Sequence, residues 1–184
     1  LALCYREVGR LDEAIKLDTS VPAILAGHVS LDSARTSSEK SMMFGKDYVL
    51  LKSSVALPQF DYIALGHIHK YQLLNKSPRV VYPGSLQRID FGEEKDVKGF
   101  CSIILDPKKN SGQRELSYEF IPVNARKMVT IKMTLETTDD APTKTILNEI
   151  QKHNVADAIV QLMLEIPPHI YDEIDGTAIR GALD

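Results

Sequence analysis

Two short apolar segments of this sequence end in the same dipeptide, Gly-His. The first spans 23–28 (AILAGH), and the second lies within 60–70 (FDYIALGHIHK). Short apolar runs of this kind are typical of strands that are covered on both faces of a parallel sheet. Ligands of open α/β sheets bind outside the carboxyl ends of such strands. The pattern predicts an α/β fold, and if the two strands are neighbours in one sheet, both Gly-His ends lie at the same edge.

The candidate ligands at this edge are His28, His67 and His69. An isolated His-X-His pair is more often a surface pair or a hydrogen-bonded core pair than a metal site, because short motifs give many false matches. A third histidine at the same edge is hard to explain by packing and favours metal binding. Imidazole suits Zn, Mn, Fe, Co or Ni, since its neutral ring nitrogen is a borderline donor.

Composition excludes several other classes of protein. The 184 residues are 43% hydrophobic and 26% charged, as in globular proteins. The two cysteines, Cys4 and Cys101, lie far apart, which indicates a reducing compartment such as the cytoplasm. No apolar run approaches ~18 residues, so no membrane span is expected. Because the sequence begins at Leu1 without a methionine or a signal peptide, we expect it to be a piece of a longer protein.

Periodicity predicts two domains, at 1–122 and 123–184. In the first we expect a helix over 1–17, a surface loop over 30–46, and strands at 23–26, 47–51, 61–65, 79–82, 100–105 and 114–121. After a boundary at 122–126 the pattern becomes a compact β-α-β-α unit. Its elements are a strand at 128–135, a helix at 142–153, a strand at 158–166 and a helix from 175 to 183.

Several longer segments resemble a known family. They are 22–30 (PAILAGHVS), 60–70, 80–94 (VVYPGSLQRIDFGEE), 98–100 (KGF) and 119–131 (EFIPVNARKMVTI). These segments resemble the SbcD family of bacterial exonuclease subunits, which acts in double-strand break repair and belongs to the calcineurin-like metallophosphoesterases. The GHIH sequence marks only the superfamily, whereas 80–94 narrows the resemblance to this family.

The resemblance implies the carboxyl-terminal half of a calcineurin-like metallophosphoesterase β-sandwich flanked by helices, followed by a small β-α-β-α capping domain. It also implies a DNA exonuclease and endonuclease with two divalent metal ions, usually Mn. His28 and His67 would bind one ion and His69 the other. The implied partners are DNA, an SMC-type ATPase of the SbcC kind, and a second copy of the full-length protein in a homodimer.

DNA contact by a protein of net charge −3 requires a local basic patch. Lys70 and Arg88 are the candidate contacts to the DNA backbone, although each is just as readily explained as a solvated surface charge.

The sequence departs from the family at its amino-terminal side. It lacks the family's Asp-x-His pair, the bridging Asp of a Gly-Asp segment, and the Gly-Asn-His-Asp segment that supplies the histidine assisting the leaving group. We therefore assign no catalytic residue and expect the chain alone to be inactive, while its parent is an active nuclease. Two alternatives stay open. One is a different calcineurin-like phosphoesterase, and the other is a non-catalytic module that docks DNA or an ATPase.

Overall fold

A computed structural model describes residues 2–4, 17–36 and 49–183. Within these ranges the protein is mixed α/β, as the sequence predicts. Its strands are β1 (Ala2–Cys4), β2 (Ile24–His28), β3 (Ser30–Leu31), β4 (Val49–Leu50), β5 (Tyr62–Gly66), β6 (Gln72–Lys76), β7 (Arg79–Tyr82), β8 (Gly99–Leu105), β9 (Glu115–Pro122), β10 (Met128–Thr134) and β11 (Ile159–Glu165). Its α-helices are α1 (Lys52–Val55), α2 (Pro142–Ile150) and α3 (Gly176–Gly181), and 3-10 helices span Phe91–Glu93 and Pro168–Glu173.

The chain divides into two compact units. Unit 1 comprises Leu1–Gln87 and Lys95–Ala125, and unit 2 comprises Arg88–Glu94 and Arg126–Asp184. None of the helices in the described part of the chain is both long enough and apolar enough to cross a membrane. The calcineurin-like β-sandwich and the capping role of the second domain stay predictions.

The central sheet of unit 1 has the strand order β1-β2-β5-β7-β6. Strands β2, β5 and β7 are parallel, and the edge strand β6 runs antiparallel to β7. The register pairs Ile24 with Tyr62 and His28 with Gly66. The two segments that end in Gly-His are therefore adjacent parallel strands with a common carboxyl edge, which is the condition for the histidines to meet.

The core of unit 1 forms around these strands because their inward residues are almost all aliphatic. Leu25, Ile63 and Val80 come from β2, β5 and β7 and are between 0% and 5% exposed. They belong to one hydrophobic cluster with Val55 of α1 and Phe60. This packing fixes the ends of β2 and β5 relative to each other.

The helix predicted over 1–17 is wrong at residues 2–4, which form strand β1 parallel to β2. Pairing with β2 outweighs the local 3.6-residue periodicity in this stretch. The rest of that prediction, over 5–16, lies outside the described residues. The loop expected over 30–46 begins instead with β3, which pairs with β4, and residues 37–48 are likewise not described.

The antiparallel hairpin of β8 and β9 confirms the strands predicted at 100–105 and 114–121. Its register pairs Gly99 with Pro122 and shifts between Ile104 and Leu105. At Gly99 an added Cβ would lie 2.7 Å from Cζ of Phe120 and still closer to the carbonyl oxygen of Ile121. Only glycine therefore permits this close approach at the start of β8.

A buried ion pair fastens this hairpin to the central sheet. Arg114, just before β9, donates from Nη1 to Oδ2 of Asp61, just before β5, over 3.1 Å, and each side chain is 1% exposed. The same oxygen accepts from the N–H of Ala23 at 3.0 Å, and Oδ1 accepts from Gly112 at 3.2 Å. Nη2 of Arg114 donates to the carbonyl of Thr19 at 2.6 Å. One buried pair thus ties together three segments that are distant in sequence.

Unit 2 contains the parallel pair β10 and β11, in which Met128 pairs with Ile159. Parallel neighbours need a crossover connection, and α2 supplies it, starting with Pro142 in its first turn. Ile131 of β10 and Ile146 and Ile150 of α2 are between 0% and 2% exposed in a separate hydrophobic cluster. From residue 126 onward the element order is β-α-β-α, as predicted, with a 3-10 helix before α3.

Candidate metal site

His28 is the last residue of β2, and its side chain is exposed to solvent. Its ring lies against the α-carbon of Gly66 at the end of β5. A Cβ at Gly66 would come within 2.8 Å of Nδ1, closer than normal packing allows, while Cε1 and Cγ follow at 3.6 Å. Gly66 therefore makes room for the His28 ring.

His67 follows β5 directly and has a backbone φ of 95°. This left-handed region is uncommon for a residue that carries a Cβ. The turn brings the His67 ring to the His28 ring, with centroids 5.3 Å apart and ring planes at 73°. The next residue, Ile68, is 2% exposed and anchors the turn in the core. The structure thus brings together two of the three predicted ligands.

The spacing of the His28 and His67 rings is compatible with a shared metal ion and equally with an ordinary edge-to-face contact. Imidazoles that share an ion through bonds of about 2.1 Å hold their ring centres roughly 5 Å apart, which agrees with the observed 5.3 Å. Among the residues that the structure describes, no group of three or more His, Cys, Asp or Glu side chains is placed to hold an ion. His69 is thus not grouped with the pair into a complete site, and its role as a ligand stays a prediction.

The carbonyl of His69 is held by two donors. Ser85 donates its N–H over 3.0 Å, and Lys98 donates from Nζ over 3.1 Å. Gly84, with φ of 82°, packs against the same carbonyl, and a Cβ there would lie 2.6 Å from the oxygen. The tight turn at 83–85 therefore supports the loop that carries His67 and His69. The contact from Lys98 has no signal in the sequence pattern.

Tyr82 supports the other side of the site. It ends β7, is 0% exposed, and donates its hydroxyl to the carbonyl of Val29 over 2.7 Å. Burial raises the pKa of Tyr82 to about 12, because the phenolate would be poorly solvated there. Val29 directly follows His28, so this bond fixes the backbone at the end of β2.

Both candidate DNA contacts make bonds within their own units. Nζ of Lys70 lies 3.1 Å from Oδ1 of Asp96, and the Lys70 side chain is 49% exposed. Arg88 donates from Nε to the carbonyl of Glu94 over 3.2 Å and from Nη1 to the carbonyl of Arg126 over 2.9 Å. These bonds give each cation a structural contact, and binding to DNA stays a prediction for both.

An aromatic cluster packs the β8–β9 hairpin onto the central sheet. The Tyr118 hydroxyl lies 3.1 Å from the Tyr71 hydroxyl and 3.3 Å from Sγ of Cys101. Burial, followed by these hydrogen bonds, raises the pKa of Tyr118. The Arg79 guanidinium lies 3.9 Å from the centre of the Tyr118 ring and pairs with Glu115 through two hydrogen bonds of 2.7 and 2.5 Å. The Arg79 guanidinium is therefore held between the Tyr118 ring and the Glu115 carboxylate.

Comparison with known proteins gives partial similarity to a curated protein and no family assignment. No protein-family model matches this chain. Over 108 residues the chain is 32% identical to the SbcD component of the nuclease SbcCD from Staphylococcus epidermidis. The aligned part covers 58% of this chain and 27% of that protein, so the chain corresponds to about a quarter of the relative's length. The similarity supports a relationship to SbcD-like nucleases.

Proposed function

We propose that this chain is part of a metal-dependent DNA nuclease subunit of the SbcD kind. The observation that carries the proposal is the meeting of the His28 and His67 rings at the carboxyl edge of adjacent parallel strands, 5.3 Å apart. Open α/β sheets bind their ligands at such an edge. The sequence similarity to a nuclease component supports the same class of activity.

In this proposal His28 and His67 bind one divalent ion and His69 binds a second, with Mn as the expected metal. Held by these histidines, such ions would supply Lewis-acid chemistry: they would lower the pKa of a coordinated water and would stabilise charge on the oxygens of a phosphodiester. The chain's own residues orient the imidazoles. Gly66 gives the His28 ring its space, and Tyr82 holds the backbone that follows it.

The proposal assigns residues 1–122 to the nuclease domain and 123–184 to a capping domain beside the site. The full-length parent acts in the cytoplasm on DNA as a homodimer with an SbcC-type ATPase. Lys70 and Arg88 contribute contacts to the DNA backbone. The chain alone is inactive, because the bridging carboxylate and the histidine that assists the leaving group are not in its sequence.

A calorimetric Mn²⁺ titration of the 184-residue chain tests the ligand assignment. We expect weak binding that is lost in both His28→Ala and His67→Ala. It should be retained in His153→Ala, which removes a histidine that pairs with Glu149 in unit 2. Equal binding by all four proteins would refute the assignment. Tight binding of two equivalents of Mn²⁺ by the unmodified chain would refute the proposal that its metal site is incomplete.

A nuclease assay tests the activity itself. The full-length parent should degrade duplex DNA in the presence of Mn²⁺ and lose this activity in His67→Ala. The isolated chain should leave the same substrate intact. If the chain cleaves DNA and His67→Ala abolishes the cleavage, the proposed inactivity of the chain is wrong. If the parent hydrolyses only nucleotide monoesters, the nuclease assignment is wrong.

A further inference from the structure

Lys98 is a buried cation that contacts the histidine loop. Its side chain is 1% exposed. Nζ donates to the carbonyl of His69 over 3.1 Å and to Oγ of Ser85 over 3.0 Å. Lysine is rarely buried to this degree, because a buried ammonium is destabilising unless its donors are satisfied. An apolar side chain of the same length would pack equally well at this position. The feature that distinguishes Lys98 is therefore the set of hydrogen-bond donors on its Nζ.

The backbone of Lys98 is fixed independently of this contact. Its carbonyl accepts the N–H of Val123 over 2.8 Å, at the end of the β8–β9 ladder. The following Gly99 lies against the carbonyl of Ile121 with no room for a Cβ. The side chain of Lys98 thus extends from a rigid strand start, so its ammonium can hold a neighbouring loop in one place.

The loop that it holds needs such support. His67 sits at φ 95°, and a residue in a sparsely populated region keeps that conformation only when its surroundings enforce it. A second tie joins the same two segments, because Lys70 pairs with Asp96 over 3.1 Å and Asp96 is 7% exposed. Both contacts therefore fasten residues 67–70 to residues 96–98, and the Lys98 contact is the better buried of the two.

We propose that Lys98 is a positioning residue for the loop that carries His67 and His69. By binding the His69 carbonyl it fixes the turn after β5 and hence the direction of the imidazole that meets His28. The part of this inference that concerns metal affinity rests on the proposed function, whereas the part that concerns loop order does not. Removing a group that orients a metal ligand without itself binding the metal typically lowers the metal affinity by about 10–100-fold.

The test is Lys98→Met, which keeps the length of the side chain and removes its donors. Mn²⁺ affinity is measured by paramagnetic broadening of the His28 and His67 imidazole resonances, a readout that also detects weak binding. Loop order is measured by amide hydrogen exchange at residues 67–71. We expect affinity to fall about tenfold and exchange at 67–71 to quicken by a similar factor. Lys95→Met, an exposed lysine on the same segment, should change neither.

Lys98→Arg, which retains cationic donors, should recover part of both effects. Unchanged exchange together with unchanged affinity in Lys98→Met would overturn the inference. If the unmodified chain shows no broadening at His28 or His67, the proposed metal site fails, and the exchange measurement alone decides the role of Lys98. If circular dichroism shows that Lys98→Met does not fold, Lys98→Leu replaces it under the same criteria, because its shorter apolar side chain also lacks donors.

Discussion

Replacing Arg114 by Met should destabilise unit 1 severely. The change leaves Asp61, which is 1% exposed, as a buried carboxylate without its guanidinium partner. Breaking one side of a buried ion pair typically costs about 3–5 kcal/mol. Asp61 keeps the N–H donors of Ala23 and Gly112, which favours the lower end, while the Thr19 carbonyl loses its donor. We expect a loss of about 4 kcal/mol in the free energy of unfolding.

Urea unfolding followed by far-ultraviolet circular dichroism measures this loss, since the sequence contains no tryptophan. With a slope of about 2 kcal/mol per molar urea, the midpoint should fall by roughly 2 M. The control is Lys152→Met, whose ion pair with Glu149 is largely exposed on the lysine side at 68%. Solvent and salt screen that exposed pair, so its removal should change the midpoint little.

The double variant Asp61→Asn/Arg114→Met separates the ion pair from other effects of the substitution. Removing both charges relieves the unpaired carboxylate, so the double variant should be more stable than the sum of the two single losses implies. A shift in Arg114→Met no larger than that in Lys152→Met would refute the reasoning. Strict additivity of the two single variants would refute it as well.

Three further predictions concern the surroundings of the histidine pair. Gly66→Ala should displace the His28 ring, because the new Cβ would lie 2.8 Å from Nδ1, and the His28 ring resonances should shift while the fold is retained. Tyr82→Phe leaves the Val29 carbonyl without its donor and should lower the free energy of unfolding at neutral pH by about 1–2 kcal/mol, measured in urea. Burial raises the pKa of Tyr82 from 10.0 to about 12. The neutral phenol therefore adds to the free energy of unfolding, fully below pH 10, and this contribution is lost as the pH rises through 12. Urea midpoints measured across this alkaline range should fall less steeply in Tyr82→Phe than in the unmodified chain.

The strands around the candidate site could be predicted from sequence because their signal is local. The run before Gly27-His28 and the run before Gly66-His67 are each apolar, short and ended by glycine, so each specifies a buried strand by itself. The structure confirms both strands and shows that they are adjacent. The proximity of the His28 and His67 rings then follows from the parallel register.

The features that could not be predicted depend on distant partners. Asp61 and Arg114 are 53 positions apart, and nothing local distinguishes Arg114 from the exposed basic residues that most lysines and arginines are. Lys98 begins a segment that resembles the family, but the resemblance does not indicate its contact with the carbonyl of His69. The strand β6, Gln72–Lys76, escapes prediction because it lacks an alternating pattern and exists as the partner of β7. Residues 2–4 belong to a stretch, 1–17, whose pattern predicts a helix, but they form a strand, because their pairing with β2 is likewise not visible locally.

The discontinuous make-up of unit 2 has a consequence for how the protein is synthesised. Residues 88–94 belong to this unit, yet the chain returns to unit 1 for residues 95–125 before the remainder of unit 2 follows. On the ribosome, the segment that carries Glu93, which is 0% exposed in the finished protein, emerges before any of the residues from 126 onward that complete its unit. A nascent chain stalled after Ala125 should therefore be cut by protease at 88–94 while the β8–β9 hairpin resists. Synthesis of the residues from 126 onward, about the last third of the chain, should then protect 88–94 from the protease.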